Sequence, residues 1–90
     1  MDNTISELGD KLRQLRARHG LTQEEFAQVA GIGYKFYQDI EGGRKKEIWV
    51  STVERLAAAY GLRAWQLLGP DMPEGSEVAR KVASSRVHRR

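Results

Sequence analysis

Residues Leu21 to Gly43, LTQEEFAQVAGIGYKFYQDIEGG, admit few arrangements. Thr22 followed by Glu25 is a capping box: the hydroxyl accepts from the Glu25 amide and the carboxylate reaches back to the Thr22 amide. Leu21 before the cap and Phe26 after it form a hydrophobic staple. Phe26, Ala27 and Ala30 then share one apolar helical face. Gly31 ends that helix, because the next residue must turn left-handed and glycine does so at least cost. The connector Gly31-Ile32-Gly33 is too short for two helices to lie antiparallel. A glycine-containing turn of this length joins helices near a right angle.

The second helix is expected from Tyr34 to Glu41, stopping at Gly42-Gly43. At ~100° per residue, Tyr37 and Ile40 define its inward side. Lys35 then points outward with Gln38 and Asp39 beside it, while Tyr34, Phe36 and Glu41 sit on the flanks. An ammonium, an amide, a carboxylate and a phenol together match the donor and acceptor patterns of base edges in a major groove.

This stretch resembles the helix-turn-helix of the phage-repressor/Cro family of bacterial DNA-binding proteins. Counting from Gln23, the family pattern has alanine fifth (Ala27), glycine ninth (Gly31) and an aliphatic residue eighteenth (Ile40), with apolar residues around the turn (Phe26, Ala30, Ile32). Arg16 and Gly20 before it, and Glu41 and Gly43 after it, also agree. The resemblance runs from about Leu8 to Leu68. Two features depart from it. Tyr37 stands where the family carries isoleucine or valine, and the loop after Gly43 is longer and lacks the usual proline.

The resemblance implies an all-α fold: a compact five-helix bundle of the lambda-repressor-like type, with the helix-turn-helix at helices 2 and 3. It implies a sequence-specific DNA-binding transcriptional regulator, a repressor dimer on a palindromic operator. Lys35 would donate to guanine O6/N7, Gln38 would serve adenine, and Asp39 would accept from cytosine N4. Tyr34 would bond a phosphate or a base edge. Phe36 would either touch a thymine methyl or pack half-buried. Gln23, with its neighbouring amides, would clamp a phosphate. Arg44, Lys45 and Lys46 would hold the backbone on the other side, or form a solvated turn. Arg16 would pair with Glu41 and tie helix 1 to helix 3; the alternative is a surface arginine. Trp65 and Leu68, in a short fifth helix, are the dimer candidates.

The remaining chain supports this frame. Thr4 with Glu7 is a second capping box, and Ile5, Leu8, Leu12 and Leu15 recur at helical spacing. Gly9 interrupts that helix, either neutrally or to admit a neighbour. Ser51 with Glu54 reads as a third box opening helix 4, whose buried face is Val53, Leu56, Ala57 and Tyr60. Ile48, Trp49 and Val50 make the preceding loop unusually apolar, either folding back on the core or offering a surface to a protein partner. Arg63 is a poor start for helix 5, which is expected to fray.

Residues 1–69 are assigned to the domain and 70–90 to a linker and flexible basic tail. The tail carries the basicity: residues 1–75 hold ten Lys/Arg against eleven Asp/Glu, and residues 76–90 hold five against one. The net charge of +3 is therefore no argument for nucleic acid by itself. The chain has no cysteine, which suits a reducing cytoplasm and rules out a disulfide framework. Its acidic, polar opening, MDNTISELGD, is not expected to act as a signal peptide, and there is no membrane-length apolar run, no HExxH and no Ser/His/Asp arrangement. Neither enzyme activity nor a metal or other cofactor is expected. The competing reading is an antitoxin-like or adaptor module, using the Trp49 loop or the tail to hold a protein.

Overall fold

The computed structural model describes residues 4–73. Within them the chain forms five helices and no strand: α1 (Thr4–His19), α2 (Gln23–Ala30), α3 (Tyr34–Glu41), α4 (Val50–Ala58) and α5 (Ala64–Leu68). The tail assigned to residues 76–90 lies outside the described residues. Among those described, no helix is long and apolar enough to cross a membrane, and no cluster of His, Cys, Asp or Glu could hold a metal ion.

The amphipathic spacing of α1 builds one wall of the core from Leu8, Leu12 and Leu15, with Ile5 only half-buried. Phe26, Ala27 and Ala30 of α2, Tyr37 and Ile40 of α3, Val53, Leu56 and Ala57 of α4, and Leu67 of α5 close around it. Phe26 stacks on Tyr60 with centroids 4.8 Å apart and tilts against Tyr37 at 5.2 Å. Helix α1 packs on α3 and α5, α2 on α3 and α4, and α4 on α5.

Gly9 has a packing reason. A Cβ there would stand 2.6 Å from the Glu41 carbonyl oxygen and 2.7 Å from that of Ile40. Only glycine lets α1 touch the carboxyl end of α3 along the backbone, so this residue sets the seat of α3.

Three expectations need correction. Helix α4 opens at Val50, not Ser51, and Trp49 occupies the cap position with no side-chain cap. Ile48 packs on the core and brings the chain into the helix early, so Ser51 falls inside the first turn and its box with Glu54 does not form. Helix α5 is tied at both ends. The Arg63 amide donates to the Gln66 carboxamide at 2.9 Å, which is half of a capping box, since a guanidinium has no acceptor for the other half. Lys11, almost fully buried, donates to the carbonyls of Leu67 (3.0 Å) and Gly69 at its far end. Third, the chain does not leave the domain at residue 69. Met72 packs against the core, and Arg18 donates to the Pro73 carbonyl at 3.3 Å.

Candidate nucleic-acid interface

Helix α2 begins with the expected capping box: the Glu25 amide donates to Thr22 Oγ1 at 3.0 Å and the Thr22 amide to Glu25 Oε1 at 2.9 Å. It ends at Gly31, with φ 75° and ψ 33°. The Gly31 amide reaches the Gln28 carbonyl at 3.2 Å and the Ile32 amide reaches Ala27 at 3.0 Å, closing a Schellman turn. Ile32 packs on the core and Gly33 leads into α3 in extended conformation, so the corner is fixed on both sides. No side chain caps the amino end of α3.

The carboxyl end of α3 is anchored by Glu41, a buried carboxylate. Arg16 grips it in a fork, Nε to Oε2 at 2.8 Å and Nη2 to Oε1 at 2.9 Å. The Tyr37 hydroxyl donates to Oε2 at 2.5 Å and Gln23 Nε2 to Oε1 at 2.7 Å. Burial alone pushes the Glu41 carboxyl upward, but these donors outweigh it and hold the group below its ordinary range. Burial and the neighbouring carboxylate drive the Tyr37 phenol upward, so it stays a donor. The hydrogen bond to Glu41 raises the Arg16 guanidinium further. Tyr37 thus reaches Glu41 one turn along its own helix, which an aliphatic residue could not do, and its hydroxyl completes the anchor.

Gln23 belongs to this anchor. Its side chain is half-buried, bonded to Glu41, and accepts from Gln38 Nε2 at 3.5 Å. In this structure the Gln23 side chain faces inward, and the amides beside it are left at the surface end of α2. The carboxylate it turns to was placed by the helix wheel on a flank and is in fact buried.

The opposite side of α3 is open. The Lys35 side chain is 80% exposed and Tyr34 is exposed. Gln38 and Asp39 are half-exposed between them. Asp39 accepts from Arg44 Nε at 3.1 Å and from Lys35 at 3.4 Å. The hydrogen bond from Arg44, and then that from Lys35, holds its carboxyl below the ordinary range. Phe36 packs half-buried, with the Lys45 ammonium 4.8 Å from its ring centroid. Lys46 is exposed beside it. The structure thus links Lys35, Asp39 and Arg44 by direct contact, with the Gln38 carbonyl under Arg44, and sets Lys45 and Lys46 around Phe36. Trp65 and Leu68 lie elsewhere, exposed by 69% and 41%. Lys11 was not singled out by sequence reasoning, because a lysine on an apolar helix face gives no sign of the carbonyls it will meet.

Residues 7–65 match the model of a family described as a helix-turn-helix domain. Over 64 residues, 70% of the chain, the sequence is 38% identical to a hypothetical transcription factor of Neisseria meningitidis serogroup B, and it spans 58% of that relative's length. The crystal structure of the hypothetical transcription factor NHTF from Neisseria is similar at TM-score 0.69 and 34% identity, covering 74% of this chain and 76% of that one. The crystal structure of the clp gene regulator ClgR from Corynebacterium glutamicum is similar at TM-score 0.65, covering 96% and 83%. At 24% identity that likeness speaks for the fold alone. With a glycine corner of this geometry inside a match that covers most of the chain, the protein belongs to the helix-turn-helix domain family.

Proposed function

We propose that this protein is a sequence-specific DNA-binding transcriptional regulator of the phage-repressor/Cro type, with α3 entering the major groove. The observation that carries this reading is the open outer side of α3. Its Lys35 side chain is 80% exposed, while the opposite side is locked to α1 and α2 through Glu41. Lys35 donates to guanine O6/N7 and Gln38 serves adenine. Tyr34 and the free edge of Phe36 border them, and Asp39 lies between. Lys45, Lys46 and Arg44 neutralise phosphates on one flank. On the other flank the amides at the start of α2, next to Gln23, meet the backbone.

One such module covers a short site, which favours a homodimer on a palindrome with half-sites ~34 Å apart. The exposed Trp65 and Leu68 supply the apolar surface for the second copy. Binding to mixed genomic DNA, followed as salt is raised from 50 to 200 mM, tests the reading. Loss of affinity by ~10³-fold or more is expected for a backbone-gripping protein. Binding that is absent at low salt, or indifferent to salt, overturns it. Selection of bound duplexes from random sequence should then return a palindrome.

A second reading is favoured by one observation. Trp49 and Val50 are exposed by 75% and 65% beside a groove formed with Phe36, Ile48 and Thr52. An adaptor or antitoxin-like protein would use that groove for a protein partner. In that case Trp49→Ala abolishes partner capture and leaves DNA affinity intact.

A further inference from the structure

Four helix ends in the described chain finish on the same turn. A left-handed glycine (Gly20, Gly31, Gly43, Gly61) precedes a residue whose amide reaches back over the last turn: Leu21 to Arg16, Ile32 to Ala27, Arg44 to Asp39, Leu62 to Ala57. This Schellman geometry lays the side chain of the later residue against that of the earlier one, a slot ordinarily filled by an apolar contact. Ile32 and Leu62 fill it that way, over Ala27 and Ala57, and Leu21, which follows Arg16 in the same geometry, turns to the core instead. At the end of α3 the slot holds a cation against an anion in solvent.

Arg44 is fixed there by two donors. Nε bonds Asp39 Oδ1 at 3.1 Å and Nη2 bonds the Gln38 carbonyl at 3.0 Å, while the Arg44 amide bonds the Asp39 carbonyl at 2.9 Å. The guanidinium lies over Gly42, where any Cβ would collide with Nη1. A guanidinium carries five N–H donors, so three remain on its Nη edge, and the side chain is 59% exposed. A planar fork held in one orientation is the geometry that bridges two phosphate oxygens. Asp39, by contrast, is covered by two cations, and its side chain is only 25% exposed.

We infer that Asp39 is a positioning residue for DNA binding. Its carboxylate holds Arg44 with the Nη edge presented to a backbone phosphate beside α3, and it does not itself read a base. This rests on the DNA reading above. An aspartate is ionised at neutral pH in any case, so the Asp39–Arg44 contact persists throughout the physiological range.

Electrostatics alone predicts the opposite sign, and that makes the inference testable. Removing an anion from a surface that meets a polyanion should tighten binding. If Asp39 positions Arg44, Asp39→Ala weakens binding about three- to tenfold, because the freed arginine must be ordered again on association. The loss is the same for every sequence, since phosphates carry no sequence information. The measurement is anisotropy of a labelled mixed-sequence duplex and of selected duplexes at ~0.15 M salt, where exposed charges more than ~8 Å apart are largely screened.

Asp39→Asn keeps an acceptor and loses less than Asp39→Ala. Gly42→Ala changes no charge and suits the right-handed backbone at that residue. It displaces the guanidinium and weakens binding to a similar extent. In an Arg44→Ala background neither change weakens binding further, and Asp39→Ala shows only the gain expected from removing an anion. Tighter binding by Asp39→Ala with Arg44 present, a loss confined to one base pair, or a loss that survives without Arg44 overturns the inference. A parent protein that holds no duplex at low salt overturns the DNA reading itself and this inference with it. That result appears before any variant is compared.

Discussion

Glu41 and Asp39 stand two residues apart on one helix, and each faces an arginine, yet they do different work. Glu41 is buried and meets four donors from Arg16, Tyr37 and Gln23, so it joins three helices at one carboxylate. Asp39 is on the outer surface, and its arginine comes from the loop that follows its own helix. A paired charge inside holds the scaffold, because removing one partner strands the others without water. A paired charge outside is worth ~0–1 kcal/mol to the fold. What an exposed pair retains is orientation, which matters only when something binds. On the DNA-binding reading, the two carboxylates separate stability from recognition along a single short helix.

The comparison breaks if Glu41 proves dispensable. Glu41→Ala should cost ~3–5 kcal/mol, since it leaves a part-buried guanidinium and a buried phenol unpaired. Urea unfolding gives the figure, and a protein as stable as the parent would make the anchor decorative. Gly9→Ala comes next, at about 1–3 kcal/mol, because backbone carbonyls rather than a flexible side chain oppose the new methyl. The same denaturation series measures it, and an unchanged midpoint would mean that α1 and α3 can part freely. Tyr37→Phe removes one donor to a charged acceptor and should cost ~1–2 kcal/mol in that series.

The pH dependence sharpens the contrast. The Glu41 carboxyl lies below its ordinary value of 4.5 in the folded protein, so the unfolded chain binds more protons in the window between the two. Its stabilisation is fully present above pH 4.5 and is lost as pH falls through the folded value. Glu41→Gln should therefore flatten the acid limb of a stability–pH curve. Asp39 is shifted in the same direction from 3.8, by Arg44 and then Lys35, but both of those partners are exposed. Asp39→Asn should leave stability nearly unchanged at any pH, the smallest effect of the series. A larger change in the acid limb for Asp39→Asn than for Glu41→Gln would reverse the roles assigned to the two.

Much of this was legible in the residues. The Thr22/Glu25 box, the stop at Gly31 and the inward pair Tyr37 and Ile40 are local rules of capping and periodicity, and the structure follows them. The start of α4 was misjudged, because Ser51 and Glu54 satisfy a capping pattern whose use was decided by the packing of Ile48. Lys11 was passed over for the same kind of reason. Its partners are carbonyls 56 and 58 residues away, and a carbonyl has no letter in the sequence. The inward turn of Gln23 depends on a carboxylate brought to it from another helix.

The sequence by itself determined where the chain helices, where glycine must turn it, and which stripe of each helix is apolar, because those depend on neighbours within a few residues. Beyond the Arg16–Glu41 pair that the resemblance implied, only the tertiary structure decided which charged groups serve the interior and which the surface. A wheel drawn on α3 puts Glu41 on a flank and Asp39 on the face. The close approach of α1 at Gly9, with Arg16 behind it, is what buries the first and leaves the second outside. Electrostatic worth follows solvent access, and solvent access belongs to the assembled bundle.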